Sequence, residues 1–287
     1  MREHRTVSVN GIHLHAAISG TGPPVMLLHG FPETHRSWDL QVPVLVEHGY
    51  RVIVPDLRGY GASDRPETGY DLDTLARDVV ALAGAVAEGP VSLVGHDWGG
   101  AITWHVASHF PNAITRAVIL DCPHPVLMAR ALRKNPEQIR RSWYMFFFQL
   151  PRLPELWLAR RGGDNLTRMF REGSPRASDA PPEIVDAERR ALLSPGALTA
   201  ALSYYRTAFR DNARRLVTGT DAAYPLIERP VTLLWGEADS CLGLELIDGS
   251  ERYAEDLSVH RIADAGHFVH QERPEAVNPL LLSALGR

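Results

Sequence analysis

Short apolar runs bounded by glycine and proline alternate along this chain with stretches in which apolar residues recur every three or four positions. Thr6–Val9 and Ile12–Ser19 flank Asn10-Gly11 and predict an opening hairpin. Pro24–Leu28, Tyr50–Pro55, Val91–Val94, Ala117–Leu120, Val231–Trp235 and Leu257–Ile262 read as mostly buried strands. Asp73–Ala87 and Ala101–Phe110 carry a helical period between them. Apolar strands separated by helices predict an α/β fold with a mostly parallel sheet covered on both faces.

The pattern breaks between Pro123 and Glu228, where helical signals continue and no convincing strand intervenes. Pro136–Gln149, Pro182–Leu193 and Pro195–Leu216 are the clearest helices, each with proline near its first turn. A helical insertion between two strands of one sheet is expected to cap the carboxyl ends of the strands, where open α/β sheets bind ligands. The expected division is a core of residues 1–122 and 229–287 and an all-helical cap of residues 123–228.

The chemistry centres on Val94–Gly100, VGHDWGG. It has the form of a strand-to-helix nucleophile turn, with Gly95 and Gly99 flanking the apex and Asp97 where serine is usual. Such a nucleophile calls for a histidine and a second acid after later strands, the acid first in chain order. Asp239, in LLWGEADS, and His267, in DAGHFVH, meet that order. A lone aspartate after a strand is more often a cap, and a lone histidine usually has no chemistry; the three in this order reinforce one another. Asp121 is the second choice of acid, Asp264 and His270 read as surface or packing residues, and neither Ser63 nor Ser92 occupies a nucleophile position.

Length and composition then exclude alternatives. The chain has 287 residues and a formal charge of −4, with no basic block interleaved with aromatics, so nucleic acid is not an expected partner. No apolar run approaches bilayer length and the first residues are too polar for a signal peptide, which predicts a soluble, cytoplasmic protein. Cys122 and Cys241 are too isolated for a disulfide framework or a thiolate metal site. Lys134 is the only lysine and lies in a polar helical stretch, which argues against Schiff-base or phosphate-loop chemistry; no cofactor or metal is expected. A homodimer is left open.

With HGFPET, DLRGYGASDRP, GHDWGG, DCPHP, WGEAD and AGH in place, nearly the whole chain resembles the α/β-hydrolase family, and within it the epoxide hydrolases and related dehalogenases. The DLRGYGAS segment is shared widely, so its glycines and Ser63 are expected to serve a tight turn. The resemblance implies attack by Asp97 on an epoxide carbon and hydrolysis of the resulting ester by water that His267 and Asp239 activate. It also implies an oxyanion hole from the backbone N–H groups of Phe31 and Trp98. A carboxylate suits this role because an alkyl ester can be hydrolysed, whereas the ether that serine would form cannot readily be cleaved, and a free carboxyl is ionised well above a pKa of about 4. Tyr144, five residues before Gln149, and Tyr205, directly before Arg206, resemble the ring-opening tyrosines, with Tyr204 the alternative to Tyr205. A small, largely apolar epoxide and water are the implied partners.

Two other readings stand beside this one. Fluoroacetate dehalogenases share HGFP but resemble this chain less, since Trp98 and Ala101 stand where they carry arginines and Trp143-Tyr144 where they carry His-Trp. Haloalkane dehalogenases would keep Trp98 as a halide donor yet commonly have asparagine or glutamate at Phe31. A receptor that uses the pocket only for binding is the reading from another class.

Overall fold

The computed structural model describes residues 2–172, 181–218 and 224–286. Its strands are β1 (Glu3–Val9), β2 (Ile12–Ser19), β3 (Pro24–Leu28), β4 (Arg51–Pro55), β5 (Val91–His96), β6 (Ile114–Leu120), β7 (Val231–Gly236) and β8 (Leu257–Ile262). They form one eight-stranded sheet in the order β1-β2-β4-β3-β5-β6-β7-β8. The β1/β2 and β2/β4 pairs are antiparallel and the remaining pairs parallel.

Alternate residues of the central strands enter opposite layers, which explains their unbroken apolar sequences. Met26 and Leu28 of β3, Leu93 of β5 and Ile119 of β6 join one cluster. Val25 and Leu27 of β3, Val94 of β5 and Val118 of β6 join the other. The edges differ: β1 and β8 are largely exposed, so Leu257–Ile262 is not the buried strand its sequence suggests. Polar side chains such as Glu3, Arg5, His260 and Arg261 suit these unpaired edges.

Helices α1 (Val42–Glu47), α2 (Leu72–Val86) and α3 (Trp98–His109) precede β6. In α2, Asp71 caps the Thr74 N–H at 2.9 Å and Leu75, Val79, Leu82 and Val86 form the buried stripe. Among the described residues, six helices lie between β6 and β7: α4 (Pro125–Lys134), α5 (Pro136–Arg141), α6 (Trp143–Phe147), α7 (Leu153–Glu172), α8 (Pro182–Leu192) and α9 (Ala197–Thr218). Helices α10 (Val269–Glu272) and α11 (Pro274–Leu285) close the chain.

The insertion departs from its sequence pattern in two places. The stretch Pro136–Gln149 is two helices, because Ser142 leaves helical geometry (φ −86°, ψ 17°) and accepts a hydrogen bond from Gln138 Nε2 at 2.8 Å. Helix α9 begins at Ala197, two residues after Pro195, with the Pro195-Gly196 step forming its approach. Helix α7 is also broken, at Arg160–Gly163, where Arg161 and both glycines take positive φ.

The DLRGYGAS segment is a tight turn, as its glycines suggest. Ser63 Oγ donates to Asp56 O at 2.6 Å and accepts from His15 N at 2.9 Å, while Gly61 (φ +50°) leaves no space for a Cβ beside the Asp56 carboxylate. Arg58 forms a buried two-pronged pair with Asp78 at 2.6 and 3.0 Å. Both cysteines are free, and among the described residues no helix is long and apolar enough to cross a membrane.

Candidate active site

Strands β3 and β5 are neighbours, but the chain leaves them towards opposite edges of the sheet. A crevice opens at such a switch point beyond the carboxyl ends of the strands. Asp97 follows β5 directly at φ 49° and ψ −116°, a strained conformation for a residue with a side chain, costing about 1–3 kcal/mol. The turn closes because its neighbours lack side chains. A Cβ on Gly95 would strike the Gly99 carbonyl and Thr103 Oγ1, and one on Gly99 would strike the carbonyls of Leu28 and His29.

The two carboxylate oxygens of Asp97 have different surroundings. Oδ1 accepts the Phe31 N–H at 2.8 Å, while Oδ2 lies 3.7 Å from His267 Nε2. The other ring nitrogen, Nδ1, bonds Asp239 Oδ2 at 2.8 Å. Asp239 Oδ1 accepts the N–H groups of Cys241 and Leu242 at 2.7 and 2.9 Å, so the acid is held from three directions. Burial would depress the His267 pKa, but Asp239 and then Asp97 outweigh it and hold the imidazole well above its ordinary range.

Asp121 is not the histidine's partner. It is fully buried, accepts the Gly236 N–H at 2.7 Å, and its pKa is pushed well above the usual carboxylate range by burial and by the Asp239 charge. Asp264 is exposed. Ser63 belongs to the turn above, and Ser92 Oγ, near the start of β5 and so at the other end of the strand from the elbow, meets Thr115 Oγ1 at 2.9 Å. Lys134 is exposed at the end of α4.

A buried polar assembly behind these residues was not legible as such in the sequence. Glu33 Oε2 accepts from Gly30 N at 2.9 Å and His96 Nδ1 at 2.7 Å, and Glu33 Oε1 accepts from Gln271 Nε2 at 2.7 Å. His96 Nε2 donates to the His267 carbonyl at 2.8 Å. Both nitrogens of His96 are thus engaged, which fixes the ring between the Glu33 carboxylate and the His267 loop. Burial opposes ionisation of Glu33, but His96 and His270 overcome it and hold the carboxyl well below its usual range. His270, fully buried 3.4 Å from Glu33, is pushed down to about 4 by burial, so it packs there neutral. Glu33, His96 and His270 are close enough to suggest a metal, yet their donor atoms are turned on one another and on the His267 loop.

Glu272 completes the support. Its buried carboxylate accepts the N–H groups on either side of His267, Gly266 at 2.6 Å and Phe268 at 3.0 Å. The histidine is thus fixed by Asp239 through its ring, by His96 through its carbonyl and by Glu272 through its neighbours. Only the quoted HGFPE and GHD segments hinted at Glu33 and His96; nothing in sequence spacing marked Glu272.

The helical insertion brings aromatics to the same crevice. The ring of Tyr205 lies 5.1 Å from Trp98, 5.5 Å from Phe31 and 6.0 Å from Tyr144, each nearly edge-on. Tyr204 turns away and donates to Arg58 O at 2.7 Å. Tyr144 is surrounded by protein yet keeps accessible surface, as a cavity-wall side chain does. Burial, reinforced by the Asp97 charge, holds both phenols well above their ordinary pKa, so each keeps its proton. The neighbouring Trp98 works against part of that rise in Tyr205.

Gln149 and Arg206 position the tyrosines they neighbour in sequence. Gln149 Nε2 donates to Met145 O at 2.8 Å and Tyr205 O at 3.4 Å, bridging α6 and α9. Arg206 bonds the carbonyls of Phe148 and Leu150, both at 2.9 Å, and pairs with Glu155 at 2.8 Å. Helix α5 reaches the acid loop through Arg141, which donates to Asp239 O at 3.0 Å, and through Gln138, which donates to Cys241 O at 2.8 Å.

Comparison with known proteins gives a consistent result. Residues 23–274 match the model of the alpha/beta hydrolase fold. The chain is 37% identical over 284 residues to AB hydrolase superfamily protein YfhM of Bacillus subtilis, covering 97% of this chain and 96% of that one. It is 30% identical over 285 residues to epoxide hydrolase 4 of Mus musculus, covering 96% and 77% respectively. An epoxide hydrolase of Bacillus megaterium, solved with an inhibitor, superposes with a TM-score of 0.89 at 29% identity, over 99% of this chain and 100% of that one.

Proposed function

The chain belongs to the alpha/beta hydrolase fold family, and from that premise we propose that it is an epoxide hydrolase converting a small, largely apolar epoxide to a vicinal diol through an ester on Asp97. The observation that carries the reading is the split environment of the Asp97 carboxylate. Oδ1 is held by the Phe31 N–H at 2.8 Å, and Oδ2 is left on the histidine side, in a crevice walled by two protonated phenols.

Oδ2 of Asp97 attacks an epoxide carbon from behind, and the breaking C–O bond leaves its electron pair on the epoxide oxygen. The hydroxyls of Tyr144 and Tyr205 hydrogen-bond that oxygen, and one supplies the proton, which it regains from solvent. Trp98 packs edge-on against Tyr205 at 5.1 Å and keeps its ring on the crevice side. The ester then removes the Asp97 charge, one of the influences holding the His267 proton, so more of the imidazole is neutral and free to accept a proton from water.

Water adds to the ester carbonyl while His267 Nε2 takes its proton and Asp239 stabilises the resulting cation. Charge grows on Oδ1, where the N–H groups of Phe31 and Trp98 act as the oxyanion hole, each such donor worth roughly 3–4 kcal/mol. Collapse breaks the bond from the carbonyl carbon to Oδ2, and the proton on His267 passes to the departing diol. In this reading residues 123–228 form the cap and residues 1–122 and 229–287 the core, so the core carries the ester chemistry and the cap selects the leaving group.

Incubation with styrene oxide and a panel of aliphatic epoxides, followed by mass spectrometry, tests the reading. A product heavier by one water is expected. Halide release from haloalkanes with no diol from any epoxide would favour a dehalogenase, and retained epoxide without turnover would favour a receptor.

A further inference from the structure

A second cluster of titratable side chains lies outside the crevice. His4 on β1 and His15 on β2 are diagonal neighbours on one face of the hairpin, since His15 pairs with Thr6. His35 sits in the turn that follows the Phe31 loop, and Asp56 follows β4. Asp56 Oδ2 accepts from His15 Nδ1 at 2.8 Å and Asp56 Oδ1 from His35 Nδ1 at 2.9 Å. Its remaining acceptor capacity is taken by the N–H groups of His35 and Ala62, both at 3.0 Å.

This arrangement fixes both rings in one tautomer. With Nδ1 donating to the carboxylate, Nε2 of His15 and of His35 is the lone-pair atom. Metal-binding histidines are typically prepared this way, with a carboxylate holding the nitrogen opposite the ligating one. His15 Nε2 already accepts one polar hydrogen, from His4 Nδ1 at 2.8 Å.

The three rings lie near one another, His4 and His35 being the most widely separated pair. Their centroids lie 4.9, 5.1 and 5.8 Å apart. Three imidazoles sharing one tetrahedral ion through bonds of about 2.0–2.1 Å have centroids about 5 Å apart. Asp56 is sealed from solvent, the side chains of His15 and His35 retain partial exposure, and His4 is exposed, so an ion can enter and His4 can swing to meet it. Arg2, which faces His4, is neutralised by Asp39 at 2.7 Å.

We propose that His4, His15 and His35 form a binding site for a divalent transition-metal ion of the zinc type, with Asp56 as the carboxylate that orients two of the rings. Imidazole donors suit zinc, copper and nickel better than calcium or magnesium. The ion replaces the His4–His15 hydrogen bond, which opens by about 0.5 Å to fit tetrahedral geometry. It ties the exposed first strand to the loop that supplies the Phe31 N–H, and so stabilises the folded chain.

The test uses the untagged full-length protein and zinc chloride, with affinity measured against a chromophoric chelator and thermal midpoint by calorimetry. One zinc per chain and a raised midpoint are expected. His4→Ala, at an exposed position, and His35→Ala should each lower affinity at least about tenfold and abolish the midpoint gain. His109→Ala, in the separate stacked His105–His109 pair on α3, should retain both. Absence of stoichiometric uptake at micromolar zinc, parent-like binding by His4→Ala, or loss of binding in His109→Ala would overturn the assignment. Apo midpoints of the variants separate lost binding from lost folding.

Discussion

The strand-end loops and the helical insertion converge on one crevice but are built from different materials. On the sheet side, polar atoms are held by several partners: Asp239 by two N–H groups and an imidazole, Glu33 by Gly30, His96 and Gln271, Glu272 by two N–H groups. On the insertion side, the crevice is walled by aromatic rings in edge contact, and the outer surface exposes Trp143, Leu153 and Leu156, the last at 68%. Buried, multiply bonded groups have one geometry, whereas apolar packing admits substitution and small shifts. The difference suits the proposed function, in which a fixed ester chemistry is paired with an adaptable choice of substrate.

Four perturbations probe this division. The largest effect is expected from Asp97→Asn, which removes the proposed nucleophile and should lower diol formation by about 10⁴-fold or more. Initial rates on protein whose mass confirms asparagine provide the check; parent-like turnover would break the core's claim to the chemistry. Next, the double variant Tyr144→Phe/Tyr205→Phe should slow ester formation about 10³-fold, each single change 10–10²-fold, while leaving hydrolysis of a formed ester within about twofold. Single-turnover quenching separates the two steps, and a defect confined to hydrolysis would reverse the roles of the two regions.

Lowering the pH should follow in magnitude. His267 must be neutral to take a proton from water, and Asp239 favours its protonated form, so acid slows ester hydrolysis and lowers kcat by up to about tenfold per pH unit. Ester formation does not use His267 as a base, so kcat/KM should lack that acid limb; a shared limb in both profiles would contradict the division. Smallest is Gln149→Ala, which cuts the bridge between α6 and α9 and should reduce kcat/KM about tenfold by misplacing Tyr205, with the hydrolysis step unchanged. An equal loss in both steps would show that the bridge supports the core as well.

The same contrast governs how much could be read from the chain. Strands such as Pro24–Leu28 and Ile12–Ser19 were legible to the residue because apolar runs end at glycine and proline. The elbow was legible because Gly95 and Gly99 are required by close backbone approach. Within the insertion, the break at Ser142 depends on a bond from Gln138 that no local period announces. The exposed course of β8 follows from its edge position, which apolar content alone does not reveal. For the site, the chain order of Asp97, Asp239 and His267 carried most of the signal. Glu33, His96 and Glu272 escaped notice because burial, not residue type, gives them their roles.

The central claim is that Asp97 becomes the ester, and an oxygen-labelling experiment tests it directly. Enzyme in excess over epoxide is allowed one turnover in ¹⁸O water, and the diol and the peptide containing Asp97 are weighed. The diol should carry no ¹⁸O, its new oxygen having come from Asp97, and the label should appear in the Asp97 carboxylate. A fully labelled diol with an unlabelled peptide would mean that water attacks the epoxide directly, and the claim would fail.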